Sequence, residues 1–143
     1  MAHEDAGHYA MKHHAKKIDA QISSALEKEA VNSTITCDHV HAVAKSFGKE
    51  AKDVGVQVDL MELRLKQCSL GLFGYEPDGK NFDENIEVSE ELCAAIKKIA
   101  PNGRTTCIQC WDIASKLETT RLEIGSACEK LGIKIKKCQL GAF

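Results

Sequence analysis

Seven cysteines and six histidines in 143 residues are the side chains here whose chemistry could go beyond packing. A thiolate is a nucleophile, a soft-metal ligand or half of a disulfide, and an imidazole is a base or a ligand. Cys37, Cys68, Cys107 and Cys138 carry the most weight, because the Cys37–Cys68 spacing recurs as Cys107–Cys138. Two readings of these pairs are open. In one, each pair oxidises as a thiol sensor or ligates a soft metal, helped in the first pair by His39 or His41. In the other, the thiols fill a small corner where helix meets strand. Two thiols are too few for a closed zinc site, which favours packing. Cys107-Ile108-Gln109-Cys110 has the spacing of a zinc or redox motif. Yet Cys110 and Cys128 fall on apolar stripes, at places where an equivalent stretch has Val40 and Val58. With Cys93 they are expected to stand apart from the two pairs, among apolar neighbours, as free cysteines commonly do.

Other chemistry is hard to assemble. His3, His8, His13 and His14 are scattered through a polar arm, residues 1–17, which reads as solvated chain before it reads as a metal-binding tract. There is no glycine-rich phosphate loop, nucleophile elbow or closely spaced acid pair. The last 56 residues, 88–143, contain no histidine. The expectation is a protein that is not an enzyme and has no cofactor.

The cysteines recur because the chain is duplicated. At an offset of seventy residues Ile35–Phe73 lies over Thr105–Phe143 without a gap, so that Ala44 meets Ala114, Gly55 meets Gly125 and Cys68-Ser69-Leu70-Gly71 meets Cys138-Gln139-Leu140-Gly141. The reading is a polar arm at 1–17, one repeat at 18–73, a polar linker at 74–87 with a Pro77-Asp78-Gly79 turn, and a second repeat at 88–143.

Within each repeat the apolar period is helical, then β-like. Ile18, Ile22, Ala25 and Leu26 make one stripe, matched by Leu92, Ala95, Ile96 and Ile99 behind the N-cap Ser89. Thr34-Ile35-Thr36 and Arg104-Thr105-Thr106 suit a short strand. Thr36 and Thr106 then cap a second helix, Thr106 with Gln109 at capping-box spacing. Thr120 with Glu123 repeats that signal at a third helix, and Gly132 is placed to end it in a left-handed cap. Leu63-Arg64-Leu65-Lys66 and Ile133-Lys134-Ile135-Lys136 alternate apolar and basic residues, as half-buried strands do, and the short strand of the same repeat is the natural partner of each.

The order helix, strand, helix, turn, helix, strand resembles the winged-helix branch of the helix-turn-helix superfamily. Ala44, Gly48 and Val54 match its small residue, turn glycine and apolar residue. The second repeat keeps Ala114 and Ile124 but has Glu118 in the glycine's place, so a longer or distorted turn is expected there. The resemblance implies a mainly α fold with short β-strands, as two tandem winged-helix-like repeats in pseudo-two-fold arrangement. It also implies DNA or protein contacts.

Charge tempers the DNA implication. Net charge is −2, with no basic footprint. The third helices would offer Glu50, Lys52, Asp53, Gln57, Asp59 and Glu62 in one repeat, and Arg121, Glu123, Ser126, Glu129 and Lys130 in the other, faces that repel phosphate. Phosphate contacts would fall to Arg64 and Lys66, to Lys134, Lys136 and Lys137, and to Arg121. No apolar run spans a membrane, and the polar start and reducible cysteines suit the cytoplasm. The functional expectation is a binding or regulatory module, with an unknown protein or DNA as partner and a homodimer compatible with the sequence. A thiol sensor or soft-metal protein is the first alternative, and a structural or assembly partner the second.

Overall fold

Helices begin where a short polar side chain can take up free N–H groups, and among the described residues five of six helices do so. The computed structural model describes residues 10, 13, 17–76 and 79–142. His3, His8 and His14 of the arm, and Pro77 and Asp78 of the expected linker turn, lie outside the described residues. Asp19 caps α1 (Ala20–Glu29), accepting from the N–H groups of Gln21 and Ile22. Thr36 caps α2 (Cys37–Ser46) and Ser89 caps α4 (Glu90–Ile99). Thr106 caps α5 (Cys107–Lys116) with a complete capping box to Gln109. Thr120 caps α6 (Arg121–Leu131), but the Glu123 carboxylate accepts from the Thr119 hydroxyl. Only α3 (Ala51–Leu60) begins without a side-chain cap, at Glu50.

Four three-residue strands complete the described elements: β1 (Thr34–Thr36), β2 (Arg64–Lys66), β3 (Arg104–Thr106) and β4 (Lys134–Lys136). The protein is thus mainly helical with a few short strands, and the order α, β, α, α, β occurs twice. β1 pairs with β2 and β3 with β4, each pair parallel and in register, Ile35 opposite Leu65 and Thr105 opposite Ile135. Parallel pairing follows from the crossover, since two helices carry the chain from one strand back to its partner.

The turns repeat as well, including the one expected to be distorted. Gly48 has φ 63° and Glu118, its counterpart, φ 53°. Lys49 N–H donates to the Ala44 carbonyl at 2.9 Å, and Thr119 N–H to Ala114 at 3.0 Å. The second repeat therefore makes the same turn, with a glutamate held in the left-handed region. The roles reverse after the third helix, where Glu62 (φ 55°) corresponds to the expected left-handed cap Gly132 (φ 72°).

The chain divides into two compact units, and the divisions fall inside the repeats. Unit 1 gathers residues 1–68 with 139–143, and unit 2 is residues 69–138. The core of unit 1 is built from Leu26, Ile35, Val40, Val54 and Val58, each fully buried, and it includes Leu140 from the segment after β4. Unit 2 is built on Ile96, Cys110, Ile124, Ala127 and Cys128, and it includes Leu70 from the segment after β2. Each unit is thus completed by the segment that follows the other repeat's last strand. The receiving position is a glycine in both cases. A Cβ at Gly55 would overlap the Leu140 carbonyl oxygen, and one at Gly125 the Leu70 carbonyl oxygen. Glycine inside a helix costs about 1 kcal/mol relative to alanine, so its use at both sites answers a need for close backbone approach.

Candidate functional site

The third helix of each unit would be the reading element of a helix-turn-helix protein, so what covers it decides what it can touch. In α3 the residues Val54, Gly55, Gln57, Val58 and Asp59 are all buried. Gln57 and Asp59, expected on a solvated face, are each only 9% exposed. The Gln57 side chain accepts from Asp19 N–H at 2.8 Å and donates to the Lys17 carbonyl at 3.1 Å. His13 Nε2 meets Asp59 Oδ2 at 2.7 Å, and Ala10 N–H donates to the Glu62 carboxylate at 2.7 Å. Residues preceding α1 therefore lie along the polar side of α3.

Unit 2 repeats this with different chemistry. Ile124, Gly125, Ser126, Ala127 and Cys128 of α6 are buried. Ser126, at 3% exposure, accepts at Oγ from Asp83 N–H at 2.9 Å, and Lys130 Nζ donates to the Ile86 carbonyl at 2.7 Å. The segment before α4 meets α6 much as Ala10, His13, Lys17 and Asp19 meet α3. A weak signal of this was available, because the run Gly125-Ser126-Ala127-Cys128 is small on every side of the helix and so can be approached from every side.

Among the described residues no two cysteines form a disulfide, and the thiols sit as follows. Cys37 and Cys107 open α2 and α5 and are buried, as is Cys68, while Cys138 and Cys93 are half-buried. Lys66 pairs with Thr36 and Lys136 with Thr106, so each upstream cysteine falls opposite the residue before its downstream partner. Cys107 N–H reaches the Lys137 carbonyl at 3.4 Å, one residue short of Cys138. The paired cysteines are therefore staggered by one position. His39 leaves this corner to face the Glu29 carboxylate of α1 at 3.5 Å, and His41 is half-buried one helical turn beyond Cys37. Among the described residues no three His, Cys, Asp or Glu side chains form a metal-binding group.

Cys110 and Cys128 are buried, at 0% and 1% exposure, but they do not stand among apolar neighbours alone. Their thiols hydrogen-bond to each other across α5 and α6. The bond to Cys128, burial, and the nearby charges that Cys128 and Cys107 would carry all push the Cys110 thiol far above its ordinary value. Cys110 is held as a thiol. Residue type placed both in the core, but stripes on separate helices do not reveal that two positions meet.

The basic residues remain outside. Arg64, Lys134, Lys136 and Lys137 are exposed and Lys66 is half-buried. Arg121, also exposed, lies with its guanidinium 3.4 Å from the Trp111 ring centre, a cation–π stack. Trp111 Nε1 donates to Ser69 Oγ at 3.1 Å. In unit 1 a groove of about 400 Å³ runs between α1 and α2, lined by Ala25, Lys28, Glu29, His39, Val43 and Phe47. No helix of the described residues is long and apolar enough to cross a membrane. No protein-family model, curated protein or solved structure matches this chain.

Proposed function

We infer that the protein is a non-enzymatic binding or regulatory module on a duplicated, degenerate helix-turn-helix scaffold of winged-helix type, and that it works through protein contacts in preference to DNA. The observation carrying this reading is the cover over both third helices. Gln57, Asp59 and Ser126 are committed to the chain's own backbone and to His13, so they are not offered to base edges. The basic residues expected to meet phosphate stand on three-residue strands, just after β4 and at the start of α6, which suits loose phosphate contact and not base readout.

The test is a polarisation titration of labelled 30-base-pair duplexes of varied sequence at about 50 and 150 mM salt. Weak binding that vanishes at the higher salt, without preference among duplexes, is expected. Sequence-selective nanomolar binding at 150 mM would overturn the reading.

A second reading uses Cys37 with Cys68 and Cys107 with Cys138 as thiol sensors or soft-metal ligands. It is favoured by the Cys107 to Lys137 backbone bond, which brings one pair to adjoining positions. Peptide mapping after mild peroxide treatment would show those two linkages, and mapping that finds neither removes this reading.

A further inference from the structure

The pairing of each helix glycine with a segment from the other repeat describes a receptor and a ligand, made twice. We propose that the glycine face of α3, and likewise of α6, is a recognition site for a Leu-Gly segment, and that the two repeats are each other's ligands through it. This stands independently of the functional reading above.

Four observations converge. Gly55 and Gly125 leave room for a Leu carbonyl where any side chain would collide, which permits a direct Cα–H to carbonyl contact. The inserted leucines are almost wholly enclosed, Leu140 at 2% and Leu70 at 0% exposure. In unit 2 the next residue is fixed too, since Asn81 N–H donates to the Gly71 carbonyl at 2.8 Å. Finally, Gly71 and Gly141 share φ 80°, so the residue after each leucine lies in the same left-handed region. Backbone contact sets the shape of the site, and one leucine pocket beside it sets the sequence. A segment from a second copy of this chain has the same chemistry as the one already bound.

The consequence is that covalent continuity between the repeats is dispensable. A protease site placed at 76–79, where a Cβ on Gly79 would meet nothing within 4 Å, allows the folded full chain to be nicked. The expected product is a single species in which residues before and after the cut remain together at micromolar concentration, by native mass spectrometry. Halves that separate, whether folded or unfolded, overturn the proposal. The variants Gly55→Ala and Gly125→Ala are expected to weaken the association at least about tenfold. Lys97→Ala, at an exposed position of α4, is the control and should leave it unchanged. Association indifferent to Gly55 and Gly125 refutes the site.

A measurement on nicked protein of native sequence guards against variants that do not fold. A synthetic peptide of residues 138–143 with Cys138→Ser should speed the exchange of isotope-labelled halves, and the same peptide with Leu140→Asp should not. No acceleration by the first peptide, or equal acceleration by both, counts against recognition of the segment.

Discussion

Each repeat puts a glycine at one left-handed position and a glutamate at the other, and this crossed arrangement gives a controlled experiment. Gly48 and Glu118 occupy the turn between the second and third helices, at φ 63° and 53°. Glu62 and Gly132 occupy the end of the third helix, at φ 55° and 72°. A side-chain-bearing residue pays about 1–2 kcal/mol to sit there, because Cβ crowds the following carbonyl. Glycine avoids that cost but loses about 0.5–1 kcal/mol more backbone entropy on folding. The difference leaves about 0.5–1 kcal/mol in favour of glycine. Glu118→Gly should therefore raise the unfolding midpoint by about 2–4 °C, and Glu62→Gly should raise it less, because it also removes the carboxylate that accepts from Ala10 N–H. Gly48→Ala and Gly132→Ala should lower it by a similar amount. A Cβ at Gly48 or Gly132 would meet no atom within 4 Å, so the alanine variants report backbone conformation without a packing clash. The assay is thermal unfolding followed by circular dichroism at fixed protein concentration and salt. A Glu118→Gly variant that lowers the midpoint, or alanine variants that raise it, would refute the argument.

Two further outcomes follow from buried polar groups. Cys110→Val should cost about 1 kcal/mol by stranding the Cys128 thiol, whereas Cys110→Val with Cys128→Val, which installs the residues found at Val40 and Val58, should recover most of it. A double-mutant cycle in urea checks this, and strictly additive losses would contradict it. Gln57→Ala removes the groups that meet Asp19 N–H and the Lys17 carbonyl, at a cost of about 1–2 kcal/mol. Amide exchange at Asp19 should accelerate while exchange within α5 does not, and an unchanged Asp19 rate would show that Gln57 does not anchor this segment.

Much of the local structure was legible. Ser89, Thr36, Thr106 and Thr120 mark helix starts because a side-chain oxygen near unpaired N–H groups acts over three residues, and that distance is written in the sequence. The change from helical to alternating period at Leu63 and Ile133 likewise located β2 and β4, and the duplication supplied the partner of each. Gly132 as a left-handed cap was equally local. Glu118 was misjudged because glycine is favoured in that conformation without being required, and the surrounding helices hold the turn whichever residue fills it.

What the sequence left open has one physical cause, which is degeneracy. Two equivalent glycines and two equivalent Leu-Gly segments satisfy the same contacts whether each segment docks on its own repeat or on the other, so residue types cannot choose between them. The folded path of the backbone chooses, and it carries Leu70 to Gly125 and Leu140 to Gly55. The cover over α3 and the bond between Cys110 and Cys128 have the same origin. An apolar stripe fixes which face of a helix is buried, while the partner that buries it is set only when distant segments pack together.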